Sequence, residues 1–455
     1  MTPNTANASL GWRTDPTPSR RGLRLRDVAP MMAAIGVLTL ANLMYGGAQP
    51  IVALSGSTLL VGIALVSLLL AGPRHVTVGM LVGALAIGAF GLTGLAGPLD
   101  RAGPNLAVLF SAGALWSMGY IAARHRGMLD LVWSGLIWSS AVFCTWMFFL
   151  DVAATMSAGG PANISQSFET PGQGALLFSL LAIIGWGRLL HIVKQMDAEA
   201  LPRSRMVERL LRDGLGSLLL VGLSLSCLAL TGSVVGLALA ASVLIFHTWW
   251  DSLSITMREH RGILVRFAAI LAPIAALALA ALGVGLAWTH DENVVPGAGV
   301  GPVLPHVQRF EAFMQAWMQK PAFGYGIGSI DTVSNQMTTL WNAKAMLAPG
   351  HAQNVFVTWL VEAGIVGFVA LALCLLAMHA RIFSALGSRR VPRTFIRLAV
   401  VAGLLLLLHG VSDSSIDLPT VVWIYALLLG SACGLATASV GGRRSNPLSE
   451  MSSGM

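Results

Sequence analysis

The sequence predicts an all-α polytopic integral membrane protein, with about twelve transmembrane helices and one large non-cytoplasmic loop that contains short amphipathic helices. Three observations predict it. The 455-residue chain is 55% hydrophobic and only 11% charged, too little polar surface to cover itself in water but well suited to facing lipid. Twelve apolar runs approach the ~20 residues needed to cross a bilayer. The basic residues alternate in step with those runs, an order that a wrong helix count would scramble.

Residues 1–27 form a polar, basic tail. It is too long for an ordinary signal-peptide n-region, and no clean small-residue cleavage site follows, so the first apolar run is expected to stay as an anchor. Nine runs fill 28–288, at 28–46, 50–72, 75–96, 105–123, 128–150, 174–192, 213–230, 232–250 and 263–288. Residues 289–353 are the one long polar interruption. Runs at 354–378, 396–412 and 418–439 complete the set, and 440–455 is a second polar tail. The boundaries are least marked between the first two runs and at Thr231-Gly232-Ser233. Fifty glycines suit close helix packing in lipid. Cys144, Cys227, Cys374 and Cys433 all lie within apolar runs, where packing is their ordinary role and no metal site or exposed disulfide is indicated.

With the N-terminus placed in the cytoplasm, 24 of the 28 Lys and Arg fall on the cytoplasmic side. They occupy the tail and every second connection, ending with Arg443 and Arg444, so both termini are expected in the cytoplasm. Arg101, Arg309, Lys320 and Lys344 are the four on the other side. The net charge of +8 is thus topological, and no nucleic-acid partner is expected. The polar chemistry gathers on the non-cytoplasmic face: the 97–104 turn, the 151–173 loop, Thr231-Gly232-Ser233, the long loop, and the turn from Asp413 to Asp417. Cytoplasmic activated sugars and ATP do not reach that face, so a donor used there would arrive through the membrane already activated.

At 65 residues the long loop exceeds ordinary connector length and is expected to have structure and a task of its own. Within 307–320, Phe310, Phe313, Met314 and Trp317 recur at helical spacing, predicting an amphipathic helix ended by Pro321. Gly324-Tyr325-Gly326-Ile327-Gly328 follows, a turn that lets backbone approach backbone or ligand closely. Alone it is a weak phosphate signal, since it lacks the strand-to-helix context of a nucleotide loop. A second amphipathic stretch, 331–346, carries Met337, Leu340, Trp341 and Met346. Neither can span a bilayer, and both suit its interface. The loop ends at Gly350-His351-Ala352-Gln353-Asn354, where polar chain meets the next apolar run.

Each candidate residue has two readings. His351 suits proton transfer near neutral pH, or is a loop histidine at headgroup level. Arg309 offers a planar fork to phosphate oxygens, or is a solvated face residue. Asn354 is a site candidate and a favoured helix N-cap. Glu362, about two turns into the following span, lines a site or ties helices together. Asp413 and Asp417 are site residues or solvated turn residues. Carboxylates on this side are sparse and scattered, so neither a divalent-metal cage nor another cofactor is expected.

Together these features resemble the O-antigen ligase/O-antigen polymerase family of bacterial membrane glycosyltransferases. The likeness runs from Arg309 to Phe368. It comprises the Arg-bearing helix with Trp317, Pro321-Ala-Phe-Gly-Tyr-Gly-Ile-Gly328, Gly350-His351-Ala-Gln-Asn354, and Phe356-Val-Thr-Trp-Leu-Val-Glu362-Ala-Gly364-Ile-Val-Gly367. The last two are similar to the family's His-x-x-Asn followed by a Glu-x-Gly helix. The combination in this order is specific; its pieces are not.

The resemblance implies a multi-pass protein of the bacterial inner membrane whose active site faces the periplasm. It implies inverting, metal-independent transfer of a glycan from undecaprenyl diphosphate to a sugar hydroxyl of a saccharide or lipid A-core acceptor, alongside envelope polysaccharide assembly proteins. His351 would activate the acceptor and Arg309 would hold the diphosphate. Asn354, Glu362, Trp317, Gly324, Gly326 and Gly328 would line the substrate. Family members often carry an arginine after a Thr/Ser-x-Ser pattern, whereas this chain has Thr231-Gly-Ser233-Val234. Arg101, Lys320 and Lys344 are then the candidates for a second cation. The segment from Asp413 to Pro419 resembles a turn of polymerase members, which favours a polymerase over a lipid A-core ligase or a protein oligosaccharyltransferase. A lipid-linked oligosaccharide flippase or another transporter suits twelve spans equally; against it stand few ionisable residues deep in the spans and no evident repeat between the halves.

Overall fold

A computed structural model describes residues 25–44, 49–71, 99–124, 126–158, 168, 170–199, 202–256, 271–282, 303–340, 342–346, 354–387, 393–412 and 415–444. Among these residues all regular structure is helical. The helices are α1 (Leu25–Leu43), α2 (Pro50–Ala71), α3 (Leu99–Ala122), α4 (Arg126–Ala158), α5 (Pro171–Ala198), α6 (Arg203–Leu230) and α7 (Val234–Thr256). After α8 (Leu271–Leu282) come three in the long loop: α9 (Val303–Gln319), α10 (Ile330–Met337) and α11 (Ala343–Met346). Then follow α12 (Val355–Leu386), α13 (Arg393–Ser412), a 3-10 turn (Ser415–Asp417) and α14 (Pro419–Arg444).

Nine of the described helices, α2 to α7 and α12 to α14, are long and apolar enough to cross a membrane, and the chain is a multi-pass membrane protein. The expected run 28–46 corresponds to α1, whose apolar part, Val28–Leu43, is shorter than a full span; 263–288 is represented by Leu271–Leu282. The expected run 75–96 lies outside the described residues. The weakly marked turn at 231–233 is present. Thr231 ends α6, Gly232 takes φ 71°, and Ser233 Oγ accepts from Gly236 N–H at 3.1 Å to start α7.

Three helices form the centre. In α5, α13 and α14, 72% of the spanning positions are buried, against 28% in α2. Large apolar side chains such as Ile51, Leu69 and Leu277 point outward, as lipid-facing residues do. Glycine sets the closest contact, between α3 and α14. A Cβ on Gly430 would lie 2.0 Å from Trp116 O, one on Gly434 2.4 Å from Tyr120 O, and one on Gly119 2.4 Å from Leu427 O. Residue numbers rise together across this seam, so α3 and α14 run parallel. It is a small-residue interface of the kind that drives helix association without a hydrophobic effect. Trp423 Nε1 reinforces it by donating to Ser111 Oγ at 2.7 Å, and Ser111 in turn donates to Ser57 on α2 at 3.1 Å.

At one end of the bundle the central helices are tied by charge. Asp251 of α7 is buried and meets Lys194 of α5 at 2.8 Å and Arg397 of α13 at 2.7 Å. Arg397 also donates to Trp250 O at 3.1 Å and stacks over that indole. Arg124, Arg205, Arg209 and Arg212 belong to helix ends on this same side. The long loop sits at the other end, because Asn354 at the start of α12 bonds Val411 at the end of α13. Lys194 and Arg397 thus lie at the end opposite the loop that carries Arg309 and Lys320.

Removing the Asp251 carboxylate takes a shared counter-charge from Arg397, which is nearly buried, and from Lys194, which is a quarter exposed. Asp251→Ala is expected to cost about 3–5 kcal/mol, read as a marked loss of thermal stability in detergent. Gly430→Leu is expected to abolish accumulation of folded protein, measured by fluorescence-detected size exclusion.

Candidate functional site

The site expected from the sequence is built by the long loop and the first turns of α12. Helix α9 forms as expected but starts four residues earlier, at Val303. Its buried face is Arg309, Ala312, Phe313 and Ala316, not the stripe centred on Phe310, Phe313, Met314 and Trp317. The small residues Ala312 and Ala316 allow close approach, while Met314 and Trp317 only flank the core and Phe310 is exposed. The buried face packs with Ile330 and Val333 of α10, Met346 of α11, and Val357 and Val361 of α12. Arg309 is thus carried into the base of the loop, one turn from Phe313, with only 3% of its surface exposed.

The second amphipathic stretch is not one helix. Asn342 and Thr339 close a side-chain turn on each other, with Thr339 N–H donating to Asn342 Oδ1 at 2.6 Å and Asn342 N–H to Thr339 Oγ1 at 3.4 Å. Asn342 Nδ2 also donates to Met337 O at 3.0 Å, ending α10. Such local bonds compete with the helix ladder. Met346 is consequently buried while Leu340 is 98% exposed; Trp341 lies outside the described residues.

The glycine-rich turn has a definite structural task. Gly364 breaks α12 with φ 63° and ψ −175°, a conformation essentially restricted to glycine. In an unbroken helix Ile365 and Val366 would donate to Val361 O and Glu362 O. Here Ile365 N–H donates to Pro321 O at 2.8 Å and Val366 N–H to Ala322 O at 3.2 Å. The two released carbonyls accept from the same turn: Tyr325 N–H reaches Val361 O at 2.8 Å, and Gly326 N–H reaches Glu362 O at 2.9 Å. Two helical bonds are exchanged for four across the joint. Contact is so close that a Cβ on Gly324 would lie 2.5 Å from Glu362 O and one on Gly364 2.3 Å from Ala322 O.

Glu362 completes the joint. Its carboxyl group accepts from Gly328 N–H at 2.9 Å, two residues before α10. The amides of Gly324, Gly326 and Gly328 are all bonded to protein, Gly324 N–H to Lys320 O at 3.1 Å. The turn thus makes the close backbone approach that its glycines allow.

The remaining candidates divide by position. Asn354 caps α12, its Oδ1 accepting from Phe356 N–H at 2.9 Å and Val357 N–H at 3.3 Å, while Nδ2 donates to Val411 O at 3.3 Å. Lys320 is exposed and stacks over the Tyr325 ring at 4.4 Å, and Tyr325 Oη donates to Ala316 O at 3.2 Å. Trp317 Nε1 and Ser329 Oγ are buried and make no hydrogen bond among the described residues. Arg101 belongs to the first turn of α3, five residues before Leu106, which packs with Ile327 and Ala363; the side chains of Arg101 and Lys344 are not described. His351 and Asp413 lie outside the described residues. Thr231 and Ser233 are buried at the loop end of the bundle, whereas Val234 is 57% exposed. Among the described residues no three His, Cys, Asp or Glu come together as a metal site.

What the sequence did not disclose is the break at Gly364. The only signal was the pairing of a lone glycine inside an apolar run with a glycine-rich turn elsewhere. Gly364→Ala is expected to strain the backbone and clash with Ala322, lowering the yield and melting temperature of purified protein severely. Gly387→Ala, at φ −72° and with nothing near its Cβ, is expected to be neutral in the same assay. Glu362→Ala leaves the Gly328 amide unpaired and is expected to cost about 1–3 kcal/mol, with Glu362→Gln retaining most of the stability.

No family model matches the chain, and no curated protein shows significant similarity to it.

Proposed function

We propose that the protein is a membrane glycosyltransferase that moves a glycan from undecaprenyl diphosphate to an acceptor sugar hydroxyl at the periplasmic face of the bacterial inner membrane. The observation that carries the proposal is convergence. The joint at Gly364 holds the Arg309 helix against α12, and Val357 and Val361 of its partner face lie within two turns of Asn354. His351 precedes Asn354 by three residues, a chain reach of at most about 10 Å. The buried guanidinium of Arg309 and the buried donors of Trp317 and Ser329, which have no hydrogen-bond partner among the described residues, support this reading, with His351 close to Asn354 in the chain.

The chemistry follows from those groups. A diphosphate-linked donor carries its own leaving group, so one base that takes the proton from the attacking hydroxyl is sufficient. His351 supplies it. Arg309 offsets the charge that develops on the departing diphosphate, usually the largest catalytic contribution. Twelve spans and cytoplasmic termini belong to the same proposal, as does the preference for a polymerase over a ligase.

A flippase or other transporter is the second reading, and the buried Lys194–Asp251–Arg397 group favours it, since charges inside spans often mark transport paths. These charges, however, pair with one another through Asp251 at a helix end, away from the midplane where transporters bind.

In purified protein reconstituted with a lipid-linked glycan and an acceptor, His351→Ala is expected to lower transfer about 10²–10⁴-fold at unchanged folding. Arg309→Lys is expected to reduce it as well, because an ammonium lacks the planar fork. In a deletion strain complemented with His351→Ala, accumulation of single lipid-linked repeats identifies a polymerase. Lipid-linked long chains missing from lipid A identify a ligase. Normal surface glycan with abundant variant protein overturns the proposal.

A further inference from the structure

Helix α9 is apolar on two opposite sides. One side is the buried face of Arg309, Ala312, Phe313 and Ala316. The other is a stripe of Val307, Phe310, Met314 and Met318, of which Val307, Phe310 and Met318 are exposed, Met318 at 63%. Spacings of three and four residues keep these four on one line. Phe323, in the turn just past the helix end, is also exposed, at 59%.

Where that stripe leads is fixed by the joint. Helix α12 has 32 residues, about 48 Å at 1.5 Å per residue, against a hydrocarbon core of about 30 Å. Part of it must lie beyond the lipid. None of residues 355–364 is exposed: Val357 and Val361 pack against the loop, Val355 and Phe356 meet α13 at Gly410, and Ala363 packs with Ile327 of the loop and Leu106 of α3. Exposure begins at Ile365 and Val366 and continues along one face through Val369, Leu373 and Leu376. The lipid-facing stripe of α12 therefore starts at the residues bonded to Pro321 and Ala322, next to Phe323.

We infer that the joint marks the lipid–water boundary, and that Met318 and Phe323 seat the loop in the edge of the bilayer. The occupant of this apolar surface is lipid, because the surface is continuous with the lipid-facing side of α12. Lys320, between the two seated residues in sequence, keeps its ammonium over Tyr325, on the polar side of the boundary. The loop is in this way a monotopic element attached to a polytopic one. The inference is independent of the glycan-transfer proposal and stands or fails without it.

The test uses the full-length chain in proteoliposomes, in a version without its four native cysteines, which are all buried. Single cysteines replace Met318, Phe323, Gln315 and Leu373 and carry a nitroxide. Collision with oxygen, which concentrates in lipid, is compared with collision with a water-soluble nickel chelate. Labels at 318 and 323 are expected to show the several-fold oxygen preference of the lipid-facing control at 373, while the label at 315 shows the nickel preference of a water-facing site. Nickel preference at 318 and 323 overturns the inference. Shielding from both reagents overturns it too, since it assigns the surface to a protein partner or a second copy of the chain.

Discussion

The candidate site depends on one exchange of backbone hydrogen bonds. Inside or beside a bilayer, a broken helix exposes carbonyls and amides that have no water to bond, at a cost on the order of several kcal/mol each. Gly364 makes such a break, and the turn from Pro321 to Gly326 satisfies both orphaned amides and both orphaned carbonyls. Neither side is complete alone. The turn has no ladder of its own, and α12 has no partner for its opened ring. Glu362 then links the joint to α10, so the loop is attached by main-chain geometry as well as by its apolar core.

The two ends of the molecule are stabilised by different physics. At the end opposite the loop, a buried carboxylate shared by two cations ties α5, α7 and α13. At the loop end, ties are made by backbone amides, an Asn cap and small-residue packing, and charge is scarce. Between them, α3 and α14 meet through Gly119, Gly430 and Gly434, which brings the start of α3 beneath the loop at Ile327. The charged end is fastened by ion pairs; the loop end holds a buried arginine and two buried donors, Trp317 Nε1 and Ser329 Oγ, without hydrogen-bond partners among the described residues. Such a division suits a protein that acts at one face.

Much of this was legible in the sequence where a single local rule decides. Span length and charge alternation located the long helices among the described residues, because lipid leaves helices little alternative. The N-cap role of Asn354 and the break after α9 at Pro321 are equally local. Long-range pairing was not legible. Nothing at Gly364 alone distinguishes a packing glycine from a helix break, and nothing at Gly326 names Glu362 as its acceptor. The α9 stripe was misassigned because the largest apolar side chains, Phe310, Phe313, Met314 and Trp317, were read as the single packed side, whereas only Phe313 of them is fully buried. Ala312 and Ala316, unremarkable in sequence, decide it by allowing close approach. The second loop helix failed where Thr339 and Asn342 bond each other instead of continuing the ladder.

The break in α12 also constrains the order of biogenesis. Residues 321–326 precede 361–366 in the chain, so the turn leaves the ribosome before the ring of α12 that it completes, and the four exchanged bonds can close only once both segments have been made.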